Sequence, residues 1–123
     1  MADAIASLQF IVIDANDPDR LAGFWGPLLG TDVGTRVGED DYVLLDPPNE
    51  GAPSIAFQRV PEAHTSKNRV HLDLMVPDLP VAAAKVAELG GSILGDPQEL
   101  EGCHWQNLAD PEGNEFDIAL STE

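Results

Sequence analysis

A single cysteine, Cys103, stands in 123 residues. No intrachain disulfide can form from it, which suits a reducing cytoplasm and leaves the fold to its core. Basic residues are also scarce: six Lys and Arg stand against 22 Asp and Glu, for a net charge of −16. Such a chain repels phosphate backbones and anionic lipid surfaces, so no nucleic-acid or membrane partner is expected. The same charge serves solubility, a cationic ligand or a salt-rich cell interior. Long apolar runs are missing too; no stretch approaches the roughly 18 consecutive apolar residues of a transmembrane helix. Met1-Ala2-Asp3-Ala4 puts an acid where a secretory signal carries a base, and a cytoplasmic location is expected. There is no phosphate-binding glycine loop and no serine-nucleophile elbow.

What is present is a pattern that occurs twice. Hydrophobic residues make up 43% of the chain, enough to core one compact body of this length. Leu8 to Ala15 reads as a buried strand. Asp17 is placed to cap a helix with Pro18 at its first position, and Leu21, Phe24, Trp25, Leu28 and Leu29 follow at helical spacing until Gly30. Pro27 inside this run predicts a distorted last turn. Thr31 to Val37, Tyr42 to Leu45 and Ser54 to Gln58 read as three further strands, which makes the order β-α-β-β-β. Val60 to Asn68 holds two polar turns and reads as a linker. The order then returns. A strand covers Arg69 to Val76, and a helix capped by Asp78 carries Ala82, Ala83, Val86 and Leu89 on one face and stops at Gly90. Strands follow at Ser92 to Leu94, Cys103 to Leu108 and Glu115 to Leu120.

The two halves align. Asp46-Pro47 corresponds to Asp110-Pro111, Gly51 to Gly113, and Ile55-Ala56-Phe57 to Phe116-Asp117-Ile118. The interval from Gln9 to Ala56 and that from His71 to Asp117 differ by one position. The expected fold is α+β: a single domain over residues 1–123 built of two β-α-β-β-β modules, about 8–60 and 70–120. These would form a cupped mixed sheet with helices on its outer face. Strand alternation then assigns faces. Phe10, Val12, Ile55, Phe57, Leu72, Leu74, Phe116 and Ile118 are expected to cover the helices. Gln9, Ala56, Gln58, His71, Asp73, Glu115 and Asp117 are expected on the other face, lining a shared groove. A sheet covered on one side only shows water a polar face in any case, with no function attached.

The doubled order, the strand His71-Leu72-Asp73-Leu74 and the turn Asp110-Pro111-Glu112-Gly113-Asn114 resemble the vicinal oxygen chelate superfamily. That group includes glyoxalase I, extradiol dioxygenases, fosfomycin-resistance enzymes and bleomycin-resistance proteins. The resemblance covers nearly the whole chain. Phe57-Gln58-Arg59-Val60-Pro61-Glu62 ahead of Lys67-Asn68-Arg69-Val70-His71 is similar to small glyoxalase-like proteins. In this superfamily the metal ligands come from the first and last strand of each repeat. Carried over by position, they fall on Gln9, Ala56, His71 and Asp117. The resemblance therefore implies a divalent ion (zinc, nickel, manganese or iron) held by His71, Asp117 and Gln9, with Asp117 as the catalytic carboxylate. Ala56 departs from the pattern, since it can neither bind a metal nor take a proton; Gln58 on the same face is a partial substitute. Glyoxalase I must remove a carbon-bound proton beside a carbonyl, which needs a positioned base as well as a metal. With Ala56 in place of a carboxylate, that activity is not expected.

Two function classes follow. One is a metal-dependent lyase, isomerase or oxygenase acting on a small molecule, favoured by His71 and Asp117. The other is a metal-free protein of the bleomycin-resistance kind that sequesters a cationic drug in an acidic groove, favoured by Ala56 and the net charge. Gln58, Asp73, Glu115 and Trp105 are the expected ligand-groove residues in either case. Cys103 and Trp105 share a face of one strand and His104 opposes them, so Cys103 and His104 cannot meet as a nucleophile pair. Trp105 either stacks on a ligand or closes the sheet face. Trp25 belongs to the core, and His64, in the linker, to the solvent. Exposed sheet edges, and the pairing of chains common in the superfamily, imply a homodimer. Sedimentation at roughly tens of micromolar is expected to show that dimer; a monomer at that concentration would exclude it.

Overall fold

The computed structural model describes residues 4–66 and 68–120. Lys67 of the linker, Met1-Ala2-Asp3 of the acidic N-terminal stretch, and residues 121–123 lie outside the described residues. The chain divides into two compact units, Met1–Pro61 and Glu62–Glu123. Both are α+β, each with one helix and one mixed sheet.

The first unit runs β1 (Phe10–Ala15), α1 (Pro18–Leu29), β2 (Val33–Val37), β3 (Tyr42–Leu45) and β4 (Ser54–Arg59). Its strands lie in the order β1-β4-β3-β2, with β1 parallel to β4 and the other pairs antiparallel. Helix α1 begins where Asp17 Oδ1 accepts the Arg20 N–H at 3.2 Å, one of the donors a helix start leaves without a partner. The helix runs through Pro27 to Leu29, although proline removes one backbone donor. It closes on Gly30 at φ 73, with Thr31 N–H bonded to the Gly26 carbonyl at 2.8 Å. That closure needs a left-handed residue after the last turn, which glycine adopts without strain. Leu21, Phe24 and Trp25 of α1 are buried, as are Val43, Leu45, Ile55 and Phe57 of the strands it packs on. At the surface, Arg36 of β2 reaches Asp19 of α1 at 2.8 Å and Asp40 at 3.1 Å. Hydrogen bonds to those two carboxylates, Asp19 first, raise its pKa further.

The register of β1 corrects the expected faces. Ile11 pairs with Ile55 and Ile13 with Phe57, so these four share the helix-covered face. Phe10 and Val12 instead share a face with Ser54 and Ala56, and are 45% and 51% exposed. Alternation puts Gln9 with Ile11, on the opposite face from Ala56 and Gln58. The physical reason is the period of two in a strand: an alignment wrong by one residue moves every side chain to the other face.

The second unit runs β5 (Asp73–Val76), α2 (Leu79–Glu88), β6 (Ser92–Ile93), β7 (Gln98–Leu100), β8 (Cys103–Ala109) and β9 (Glu115–Leu120). Strand order is β5-β9-β8-β6, and β7 also pairs with β8. Thus β8 is flanked on one side by β9 and on the other by β6 and β7 in succession. Strand β7 was not expected. Strand β6 stops ahead of Asp96-Pro97, but the chain resumes pairing at Gln98 and turns back through Glu101 (φ 51) and Gly102 (φ 85). Two consecutive left-handed residues make the tight turn that suits strand twist. Helix α2 is capped by Asp78, whose Oδ1 accepts the Val81 N–H at 3.0 Å. It buries Leu79, Ala83 and Val86 and packs on β9, β8 and β6. Here the expected faces hold: Phe116 and Ile118 are buried, while Asp73 and Met75 are exposed.

Phe57 is completely buried beneath α1. Its replacement by alanine should cost about 3–5 kcal/mol, the range for deleting a core phenylalanine. Urea unfolding of Phe57→Ala measures it, and a loss under 1 kcal/mol would contradict the packing described.

Candidate metal centre

The second sheet carries a row of polar side chains across three strands. Asp117 lies on β9, between its neighbours β5 and β8. In register it pairs with Asp73 of β5 on one side and with Asn107 of β8 on the other. Residues paired across a sheet point to the same face. Asp73, Asp117 and Asn107 therefore stand side by side. His71 precedes Asp73 by two residues and joins the same face.

Strand β5 is shorter than the Arg69 to Val76 span expected, and His71 lies just outside it. The ladder still reaches Leu72, whose carbonyl accepts the Asp117 N–H at 2.9 Å. Beyond it the side chain of Asn68 replaces backbone pairing. Its Oδ1 accepts the Glu115 N–H at 3.1 Å, and its Nδ2 donates to the Glu115 carbonyl at 3.0 Å and to the Val70 carbonyl at 2.6 Å. This amide holds the segment carrying His71 against β9.

The imidazole reaches both carboxylates: His71 Nε2 lies 3.3 Å from Asp73 Oδ1 and 3.6 Å from Asp117 Oδ2. One donor atom from each of the three lies within 4.8 Å of the others. Asp117 is the most enclosed, its side chain 19% exposed against 52% for His71 and 60% for Asp73. Its other oxygen, Oδ1, accepts Asn107 Nδ2 at 3.0 Å. Two carboxylates directly opposite on paired strands repel each other. A cation between them would offset that cost.

The structure therefore brings together His71, Asp117 and Asp73, the last expected only as a groove residue. Glu115 and Trp105 lie on the same face of the sheet, as does Cys103, which is exposed. Glu115 also helps wall an open cleft of about 500 Å³ with His64, Ser66, Ser92 and Leu94. Gln9, Ala56 and Gln58 belong to the first unit. By register, the counterpart of Asp73 there is Val12, since Val12 pairs with Ala56 as Asp73 pairs with Asp117. Two residues earlier, the counterpart of His71 is Phe10 rather than Gln9. Reading by sequence missed Asn68 and Asn107. Nothing in their local context marks them; only the pairing of β9 with β8 and with the residues before β5 brings them to the site.

The turn before β9 has a structural task. Asp110 is 2% exposed and accepts the N–H groups of Glu112 (2.9 Å) and Asn114 (3.0 Å) on Oδ1 and the Asn114 amide (2.9 Å) on Oδ2. Pro111 suits a turn start, and Gly113 at φ 88 suits its left-handed exit.

A family model described as a glyoxalase-like domain matches residues 10–119. A glyoxalase/bleomycin resistance protein/dioxygenase family enzyme from Burkholderia phytofirmans PsJN shares the fold at a TM-score of 0.78 and 20% identity, over 94% of this chain and 98% of that one. A glyoxalase-related enzyme from Fulvimarina pelagi does so at 0.73 and 19%, over 95% and 89%. A glyoxalase/bleomycin resistance protein/dioxygenase from Alicyclobacillus acidocaldarius follows at 0.66 and 17%, over 100% and 96%. Among curated protein sequences, none matches the chain significantly. Among the described residues, no helix is long and apolar enough to cross a membrane.

Because Asp110 holds the turn through charge-assisted bonds in a buried place, Asp110→Ala should destabilise the protein by roughly 2–4 kcal/mol. Thermal or urea unfolding measures this, and an unchanged midpoint would show that the turn stands without it.

Proposed function

The chain belongs to the glyoxalase-like domain family of the vicinal oxygen chelate superfamily, and on that premise we propose that its second unit holds a divalent metal ion and binds or acts on a small molecule there. The observation that carries the proposal is the meeting of His71, Asp73 and Asp117. Two donors each about 2.1 Å from one ion, at a near-tetrahedral angle, lie about 3.4 Å apart. The imidazole-to-carboxylate distances of 3.3 and 3.6 Å bracket that value, and the donor atoms of all three residues lie within 4.8 Å of one another, which supports an ion held among them. One nitrogen and two carboxylate oxygens suit zinc, nickel, manganese or iron, with water or ligand oxygens completing the shell. Gln9 drops out of the proposed donors on account of its face, and Asp73 takes its place.

When bound, the ion would supply Lewis acidity to oxygens of the ligand. The chain's own residues hold and orient. His71 and Asp73 sit at the sheet edge, open to an incoming molecule. Asp117 has one oxygen on Asn107 and the other turned to His71. As the catalytic base it would have to give up its place among the donors, so the proposal stops short of glyoxalase I chemistry. Ala56, buried in the first unit, carries no carboxylate. A homodimer belongs to the same proposal, supported by the outer edges of β1 and β2 in one sheet and β5 in the other, which pair with no further strand among the described residues.

A second reading is favoured by one feature: Asp73, Glu115 and Asp117 share a face in a chain of net charge −16. On that reading the protein sequesters a cationic small molecule without a metal, and His71 is simply bonded between carboxylates.

Metal analysis and titration separate the two. Under the metal proposal His71→Ala lowers affinity for the ion at least about tenfold, a loss typical even of residues that only support a ligand. Asp117→Asn weakens it less, because an amide oxygen remains. Affinity falls as pH falls, since protons compete for the same donor atoms. Absence of any stoichiometric ion, with cation binding that salt weakens and His71→Ala leaves unchanged, would replace this proposal by the second.

A further inference from the structure

We propose that Asn107 is a positioning residue of the metal site: its side-chain amide turns Asp117 so that a single carboxylate oxygen, Oδ2, faces the ion. The inference rests on the metal reading above and names a residue that the sequence pattern left out. Asn107 Nδ2 donates to Asp117 Oδ1 at 3.0 Å and lies 3.4 Å from the Phe116 carbonyl. Both neighbours can only accept, so the NH₂ group and not the amide oxygen faces them. The bond to the carboxylate is charge-assisted and part-buried, which makes it stronger than a neutral exposed one. Asn107 is itself fixed. Its backbone pairs in register with Asp117, and its carbonyl accepts the Leu94 N–H at 3.1 Å.

The terminal torsion of an aspartate is broad, and a free carboxylate can present either oxygen or both. With Oδ1 engaged by Asn107, Asp117 presents Oδ2, the oxygen 3.6 Å from His71 Nε2. That choice has a consequence for selectivity. Calcium takes six to eight oxygens and often a carboxylate through both of its oxygens. Zinc and its neighbours accept one oxygen beside an imidazole nitrogen. Asn107 therefore favours the smaller ions.

The first unit serves as an internal control. Its register matches Ala56 to Asp117, Val12 to Asp73 and Phe10 to His71. Leu44 of β3 pairs with Ala56 as Asn107 of β8 pairs with Asp117. All four positions are apolar there and polar in the second unit. The orienting amide is present where the donors are and absent where they are not.

Cobalt(II) and calcium affinities of the wild-type chain, Asn107→Leu, Asp117→Ala and the double variant test the role, with cobalt followed by its visible absorption. Asn107→Leu should lower cobalt affinity by about tenfold to a hundredfold, the usual effect of removing a residue that supports a ligand. It should also lower the cobalt-to-calcium affinity ratio, which a general loosening of the fold would leave alone. In the Asp117→Ala background the same substitution should have no further effect. If the leucine variant fails to fold by circular dichroism, Asn107→Ala gives the same comparison. Wild type that binds cobalt, with Asn107→Leu unchanged in affinity and ratio, overturns the role of Asn107 and leaves the metal site standing. Equal losses with and without Asp117 overturn it too. Wild type that binds no cobalt overturns the metal site and this role together. In the metal-free protein, the Asn107 amide protons should exchange with solvent more slowly than in Asp117→Ala, and equal rates would also overturn the role.

Discussion

In the second sheet Asp117 stands with Asp73 on one side and Asn107 on the other, and every donor of the candidate site depends on that row. The pairing of β9 with β5 and β8 fixes the row's register. The fully buried Phe116 and Ile118, which flank Asp117, hold that register from beneath. A slip of one residue would turn those two side chains to the polar face and Asp117 into the core, at a cost of several kcal/mol of burial on each count. The stability of the apolar face thus enforces the geometry of the polar one.

The edges of the site are held by side-chain amides rather than by strand pairing. Asn68 bonds to both backbone groups of Glu115 and carries the segment of His71 past the point where β5 begins. Asn107 bonds to Asp117 from the opposite side. Two asparagines thus flank a histidine and two aspartates. This suits a site at a sheet edge, where backbone pairing runs out while a ligand still needs a way in. The acidic turn ahead of β9 belongs to the same support. Asp110 spends its oxygens on the turn, and so sets where Glu115 and Asp117 enter the sheet.

The two units share a framework and differ in what they hang on it. Both helices start on an aspartate cap and end beside a left-handed glycine. Both sheets pair their first and last strands in parallel. Yet His71, Asp73, Asn107 and Asp117 have Phe10, Val12, Leu44 and Ala56 as counterparts. The family pattern draws ligands from both repeats. On the metal proposal the donors would all come from the second repeat, and Ala56 would take no part.

Much of this was legible in the chain itself. The caps Asp17 and Asp78, the stops Gly30 and Gly90, and the apolar periodicity determined both helices and most strands, because these are local signals read within one turn or one strand. Alternation around His71, Asp73, Glu115 and Asp117 also placed their common face correctly. The two repeat intervals differ by a single residue, and in a strand an odd offset reverses the face, which sets Gln9 opposite Ala56. Strand β7, the shortened start of β5 and the parts played by Asn68 and Asn107 needed the tertiary structure. Each depends on which strand lies beside which and in what register, a choice made by pairing between residues far apart in the chain. Sequence alone determined that a histidine and two aspartates would share a face; only the folded sheet decided that they meet, and that an asparagine stands behind one of them.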